Sequence, residues 1–466
     1  MAWSEKLRFV VEPILFLSFM TTSIEISLVQ QLIRRKVCLV SGMLNCDGKP
    51  SAELILEATP WIGAYNIALS SVTFVVGLWF GSWADKYGRK KMMVIPYVGS
   101  ILSTLIFIIA SIFIETTPLI LMVSAVIIGL SSGTLGVGST CFGIISVVTT
   151  SEGRSGRIAI MEAMIFTGGA LGFYIAGYAL PRSSFAVVFC LEMGVHLIGL
   201  AYLIMFIREP EESLEERQRH STESFMSTEH LLSMYRTVIR PRARRLRAVL
   251  VLLIFSSFML AFGMATASQL TYTRLTSPPV NWKPAKYSFY HAFMVFAQGS
   301  MLVIVLPLCL RFFGIRDTTT GIIGAVSRLL GLTGLAAATE DWMFYLTIAF
   351  FSFSEFAMPA VRSILSKIVD QNEKSQIFGL MGAQQSLAFV LTGIILLFPG
   401  SMTTLFPGFG MAVGAVFQIV PILTLLYLRF FLSLDEGLSE LRNESVHHSG
   451  YDSVVDDGLV DPRGQP

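Results

Sequence analysis

Gly81-Ser82-Trp83-Ala84-Asp85-Lys86-Tyr87-Gly88-Arg89-Lys90 is a short polar stretch wedged between two long apolar runs, 59–80 and 92–114. Each run is long enough to cross a bilayer, which takes about 20 apolar residues. The stretch between them carries Lys86, Arg89 and Lys90, with Lys91 just beyond. Short basic loops of this kind stay on the cytosolic side of a membrane. The unit reads as one hairpin of a polytopic membrane protein.

Working outward, the same pattern repeats. Apolar runs fall at 9–29, 59–80, 92–114, 118–148, 157–180, 184–207, 248–270, 287–310, 318–338, 342–366, 377–398 and 404–432. The 466 residues are 53% hydrophobic and only 14% charged, with a mean hydropathy of +0.66. A soluble protein carries roughly 25% charged residues, so most of this chain has no water to face. The 35 Phe and 38 Gly fit lipid-facing aromatics and close helix packing. A net charge of +2 offers no footprint for a nucleic-acid polymer. The predicted fold is an all-α membrane protein of twelve transmembrane helices. Met1 to Arg8 is too polar for a cleavable signal, and the first run is long enough to stay as a span.

The longest polar interruption, 208–247, holds two acidic clusters and then Arg240, Arg242, Arg244, Arg245 and Arg247. It divides the chain into an N-terminal six-helix bundle over 1–207 and a C-terminal six-helix bundle over 248–432. A polar tail, 433–466, is predicted to be disordered. Two pseudo-symmetric halves around a midplane site are the plan of a secondary transporter. The basic residues of 81–91 and of the middle loop put both termini in the cytosol; Arg34, Arg35 and Lys36, read as part of the first external loop, oppose this and are outvoted.

The opening stretch fits Gly-x-x-x-Asp-x-x-Gly-Arg-Lys through Gly81, Asp85, Gly88 and Arg89. This resembles the loop signature of the major facilitator superfamily. Glycines suit a tight turn and close helix approach, and Asp85 suits the N-terminus of a neighbouring helix. The resemblance implies a gating latch between the halves; an ordinary basic loop is the plainer alternative. An echo, Gly314-Ile315-Arg316-Asp317, stands between spans 8 and 9. Four further stretches narrow the resemblance: Val11-Glu12-Pro13; Gln30 ahead of Arg34-Arg35; Arg157-Ile158-Ala159-Ile160-Met161-Glu162; and Val361-Arg362-Ser363-Ile364-Leu365-Ser366-Lys367-Ile368-Val369, followed by Glu373 and Phe378. Together they are similar to the solute carrier family 46-like branch, which holds the proton-coupled folate transporter and its thymic stromal and lysosomal relatives. The resemblance implies alternating-access symport of protons with a small organic anion toward the cytosol, without a cofactor, in a lysosomal, endosomal or plasma membrane. That branch handles folates, cyclic dinucleotides and bacterial cell-wall fragments.

Charges within spans are expensive and therefore usually functional. Glu162 lies in span 5, where the family places its coupling acid. A carboxyl in a low-dielectric site is poised to take a proton on one side and release it on the other; a structural ion pair with an Arg of the other half is the alternative. Arg362 matches an Arg that the family ties to coupling and substrate, and a guanidinium fork suits an anion. The alternative is an Arg that snorkels to the interface. Glu355 lies two turns earlier on the same face, beyond Pro359, and is expected to pair with Arg362. Glu25 in span 1 either lines the outer vestibule or pairs with Arg274 or Arg328. Glu192 and His196, one turn apart in span 6, form either a structural contact or a proton relay. Gln30, Trp61, Tyr65 and Asn66 are cavity liners for a flat polar ligand, or belt aromatics in the case of the rings.

The family comparison also has departures. His291 is displaced from the family's His, and Ser131-Ser132-Gly133-Thr134 lacks an acid that the folate branch carries in span 4. In Ser277-Pro278-Pro279-Val280-Asn281-Trp282, Val280 replaces a Cys that the family bonds to its first loop. A bond between Cys38 and Cys46, read as lying in one polar loop on the oxidising side, is expected instead. Cys141, Cys190 and Cys309 fall in apolar runs and read as packing residues. In the tail, Tyr451-Asp452-Ser453-Val454 fits a sorting signal with Tyr451 and Val454 as its anchors for adaptor proteins, a pattern short enough to arise by chance. Asn443-Glu444-Ser445 is a glycosylation sequon by pattern only. No His/Cys/Asp set has metal-ligand spacing and no phosphate-binding loop is present, which argues against an embedded enzyme or an ATP-driven pump. An uncoupled facilitator and a transport-inactive receptor or scaffold are the remaining rivals.

Overall fold

The computed structural model describes residues 10–43, 46, 51–149, 151–209, 232, 236–240, 244–369, 374–398 and 406–431. Within these, 12 helices are long and apolar enough to cross a membrane, and no strand occurs. They are α1 (Glu12–Val40), α2 (Ala52–Tyr87), α3 (Arg89–Ile112), α4 (Leu119–Leu130 and Gly133–Val148), α5 (Ser151–Ala179) and α6 (Phe185–Phe206). The second half comprises α7 (Arg244–Thr276), α8 (Pro284–Phe313), α9 (Asp317–Ala337), α10 (Asp341–Phe351 and Ala357–Ile368), α11 (Lys374–Leu397) and α12 (Phe409–Phe417 and Ile419–Phe431). Because the number is even, α1 begins and α12 ends at the same membrane face, called here the terminal face; the opposite one is the distal face.

The two halves repeat each other's packing. In the first, α1 packs on α5, α3 on α6 and α3 on α4; in the second, α7 packs on α11, α9 on α12 and α9 on α10. Across the boundary, α2 meets α11 and α5 meets α8. Each helix therefore has its counterpart six places on. The correspondence extends to single side chains at the distal face. Lys36, 0% exposed near the end of α1, donates to the carbonyls of Phe113, Ile114 and Thr116 after α3. Arg274, near the end of α7, donates to the carbonyls of Leu335 and Ala338 at the end of α9. A cation at a helix C-terminus satisfies orphan carbonyls and complements the dipole.

This corrects the reading of the first external loop. The basic triplet is not in a loop, because α1 runs on to Val40. Lys36 is held as described, and Arg34 donates to Thr276 Oγ1 at 2.9 Å and lies 4.8 Å from the Tyr272 ring centroid. Buried cations with such partners no longer signal membrane sidedness. Cys38 also belongs to α1, and it is bonded to Cys46 beyond the helix. The last part of the basic run, from Arg244, forms the first turn of α7 rather than a linker. Of the other cysteines, Cys141 is buried, but Cys190 is exposed and Cys309 half-buried, so only the first is a packing residue. Residues 433–466 lie outside the described residues.

The tightest contact within the N-terminal half is that of α1 with α5. Gly168 and Gly172, one turn apart on α5, meet the backbone of α1 at Phe16 and Met20, leaving no room for a Cβ. Small residues at this spacing let membrane helices approach by van der Waals packing alone. We expect Gly172→Leu to lose the monodisperse peak in size-exclusion chromatography, since overpacking costs about 1–3 kcal/mol even where some relaxation is available. Gly194→Ala, on an open stretch of α6 with nothing within 4 Å, is expected to elute like the parent protein.

Candidate functional site

Three of the described spans are interrupted inside the membrane, α4, α10 and α12, and the first two are counterparts. α4 breaks at Ser131–Ser132, where Ser132 adopts φ 61, and α10 breaks at 352–356 around a single 3-10 turn. Paired discontinuities in equivalent spans point to the substrate site of a two-repeat transporter. Freed backbone groups at such a break require partners. In α10 they come from neighbouring helices: Ser327 of α9 donates to the Phe350 carbonyl, and Arg328 donates to the Ser354 carbonyl at 3.0 Å. From α8, Gln298 donates to Ser354 Oγ at 3.0 Å. α9 gets this close because Gly324 abuts the Ala357 backbone, where a Cβ would collide.

Arg328 also fixes the first site carboxylate. Its guanidinium, on a side chain 2% exposed, donates to the Leu260 carbonyl at 3.0 Å and to Glu355 Oε1 at 2.7 Å. This replaces the expected partner of Glu355 and removes one of the two readings of Glu25. Glu355 pairs with Arg328, not Arg362, because the 3-10 turn carries it toward α9. Glu25 pairs with neither Arg274 nor Arg328, both committed elsewhere; it accepts a hydrogen bond from Tyr65 Oη at 2.8 Å, from α2.

Glu162 and Arg362 are therefore left to each other. Glu162, on α5, is half-buried; Arg362, on the second segment of α10, is exposed. Among the described residues neither makes a hydrogen bond or an ion pair, yet they interact electrostatically across the bundle boundary, with Glu355 in the same field. One acid from the first half thus lies within electrostatic reach of an Arg and a clamped acid from the second.

Toward the distal face the boundary is shut. Ser27 of α1 hydrogen-bonds Ser288 of α8 at 2.8 Å, Arg34 reaches Thr276, and Gly63 of α2 abuts Gly393 of α11. Gln30 is buried here with its Oε1 unpartnered, and Tyr65 is buried against Glu25. Trp61 and Asn66 are half-buried nearby on α2. These contacts close the boundary distally, whereas Arg362, on the terminal side of the α10 break, is exposed.

At the terminal face, Gly88 forms the α2–α3 turn at φ 105, a conformation that favours glycine. Gly81 lies inside α2 facing open space, so it serves no close approach. The Asp85 side chain is outside the described residues. The N-terminus of α3 is held by Glu209, which follows α6 and accepts from the backbone N–H groups of Arg89 at 2.7 Å and Lys90 at 3.0 Å. Arg89 itself reaches the Gly143 carbonyl of α4. In the second half, Asp317 accepts from Ser363 and Lys367 of α10. Glu12 and Arg157, from two separate motif stretches, form an ion pair at 2.8 Å joining α1 to α5. The described residues contain no cluster of His, Cys, Asp or Glu able to hold a metal. Tyr451 and Val454 lie outside them. Sequence reasoning missed Glu209, Gln298 and the role of Arg328; a lone Arg amid the apolar residues of span 9 was the available signal.

The family model described as Major Facilitator Superfamily matches residues 56–392, most of the chain. The chain belongs to the Major Facilitator Superfamily. With that family and its twelve-helix fold, it is a membrane transporter and not an enzyme. It is 24% identical to the proton-coupled folate transporter of Rattus norvegicus, covering 88% of this chain and 90% of that one. It is also 24% identical to the lysosomal proton-coupled steroid conjugate and bile acid symporter SLC46A3 of Gallus gallus, over 95% and 98% of the two chains. Among solved structures, the D-xylose-proton symporter superposes with a TM-score of 0.67 at 14% identity, covering 92% of this chain and 99% of that one.

Proposed function

We propose that the protein is a proton-coupled symporter that carries a small organic anion to the cytosol by alternating access. The observation that carries this reading is the unpaired Glu162 facing the unpaired Arg362 across the bundle boundary. Protonation of Glu162 removes the charge that competes for Arg362. The guanidinium is then available to an anionic group of the substrate, and the bundles rock with both ligands aboard. Glu355, anchored by Arg328, keeps the local field set while this happens. On the cytosolic side the proton leaves, Glu162 regains its charge, and the anion is displaced. The relatives named as a proton-coupled folate transporter and a proton-coupled steroid conjugate and bile acid symporter support this reading. The terminal face is the cytosolic one in this scheme, with Tyr451 and Val454 available there to sorting adaptors that direct the protein to endosomes or lysosomes. Gly81, Asp85, Gly88 and Arg89 are assigned to gating at that face.

Uptake by cells expressing Tyr451→Ala, intended to hold the carrier at the plasma membrane, tests the reading. The panel comprises radiolabelled folates, steroid conjugates, cyclic dinucleotides and muramyl peptides at acidic and neutral external pH. One coupled proton supports about tenfold accumulation per pH unit. We expect acid-stimulated uptake of one class, and a Glu162→Gln variant that no longer concentrates it. Equal acid stimulation in Glu162→Gln would remove that carboxyl from the coupling step; uptake without any pH dependence would leave an uncoupled facilitator.

A further inference from the structure

A second set of ionisable groups lies wholly inside the N-terminal bundle. Glu192 of α6 is 0% exposed, and among the described residues its carboxylate is approached by the Thr104 hydroxyl, which is directed to the Ser100 carbonyl. His196, one turn on, places Nε2 3.5 Å from Glu192 Oε1, and Nε2 has no hydrogen-bond partner among the described residues. From α1, Glu25 lies within electrostatic reach of both. The remaining neighbours are uncharged. α2 contributes Tyr65, whose hydroxyl goes to Glu25. From α3 come Tyr97, whose ring meets the His196 ring edge-on, and Thr104, which donates to the Ser100 carbonyl. Ser124 of α4 stands by Tyr65. Among the described residues no Lys or Arg enters this set from any of these helices.

Two carboxyls and one imidazole thus share an interior with no fixed cation among the described residues. A fully buried carboxylate with no cation paired to it is costly. The set is therefore occupied by at least one proton, held on Glu192 or shared with His196. The set adjoins a small polar crevice, which His196 lines with Ser18, Thr21, Tyr97, Ser100 and Thr134. The crevice lies at the α4 break, where Thr134 hydrogen-bonds Thr22 of α1. Ser18 donates to Tyr97 Oη at 3.0 Å, continuing the line of hydroxyls. Glu25, half-buried, is the more open member at the other end.

We propose that Glu192, His196 and Glu25 form a second proton-binding site, filled through the hydroxyl-lined crevice and separate from Glu162. His196 passes the proton between the crevice and Glu192, and Glu25 shares the load with Glu192, since both carboxylates are not charged together. The site's use in transport rests on the coupled reading above. Its existence does not, because bath protons alone are the probe.

The test is infrared difference spectroscopy of the full chain in lipid vesicles, stepped between acidic and alkaline buffer without substrate. The parent protein is expected to lose protonated-carboxyl absorption on alkalinisation. Glu162→Gln removes one component and retains another. Glu192→Gln removes the component that Glu162→Gln retains, and His196→Gln moves its midpoint. Should Glu192→Gln fail to fold, Glu25→Gln supplies the second reading by shifting the same component. Spectra of Glu192→Gln or Glu25→Gln superimposable on the parent's would overturn the proposal. So would a retained component that ignores pH, which would make the pair a fixed structural contact. A Glu162→Gln spectrum superimposable on the parent's would instead count against the first coupling site.

Discussion

Arg328→Ala is expected to leave almost no folded, monodisperse protein. The side chain is 2% exposed and its guanidinium serves three acceptors: the Leu260 carbonyl, the Ser354 carbonyl and Glu355 Oε1. Truncation takes a donor from the Ser354 carbonyl and the Glu355 carboxylate at the α10 break and from the Leu260 carbonyl of α7, leaving Glu355 only the Ser354 hydroxyl at 3.4 Å among the described side chains. Removing one partner of a buried ion pair costs about 3–5 kcal/mol, a large share of a net stability of roughly 5–15 kcal/mol. Glu355→Gln keeps an acceptor for the guanidinium, so it is expected to melt lower but to survive purification. Replacing both partners by apolar residues of similar volume is often near neutral, so Arg328→Met with Glu355→Leu is expected to recover more folded protein than Arg328→Ala. Thermal melting in detergent reads all three. An Arg328→Ala protein that melts like the parent would show that water supplies the lost donors, and that the break is wetter than its burial implies.

The sequence made some parts of this structure readable and concealed others for physical reasons. The twelve spans were legible because a bilayer enforces a length and a composition that no local alternative satisfies. Their ends were less so. α1 continues beyond its apolar run through Arg34, Arg35 and Lys36, since carbonyls, a hydroxyl and a ring from other helices hold Arg34 and Lys36 there. Hydropathy counts such residues as loop, because it has no knowledge of tertiary partners. The same limit applies to the site. Glu162, Glu355 and Arg362 could be picked out as charges within spans. Which Arg holds Glu355 could not, because a seven-residue spacing implies one face only if the helix is continuous. The 3-10 turn at Ser354–Phe356 breaks that periodicity. Glu192 and His196 were visible as a helical pair, but that no described cation reaches them depends on what α1, α2 and α3 present to them.

Arg362→Ala is expected to behave oppositely to Arg328→Ala. The side chain is exposed and, among the described residues, has no hydrogen bond or ion pair to lose. Substitution away from packed or bonded features usually changes stability by no more than about 0.5 kcal/mol, so the variant should express and melt like the parent. Its transport should fail. Hydrogen bonds to a charged group contribute about 1.5–3 kcal/mol, which corresponds to roughly 10- to 150-fold weaker capture of the anion. Arg362→Lys keeps the charge and loses the planar fork, so partial uptake with a raised KM is expected. Comparing uptake and melting across the two arginines separates their roles, since both sit beside Glu355 and either could have been the structural one. If Arg362→Ala carried its substrate with an unchanged KM, the anion would be held elsewhere, and Glu162 would be answering to Glu355 rather than to cargo.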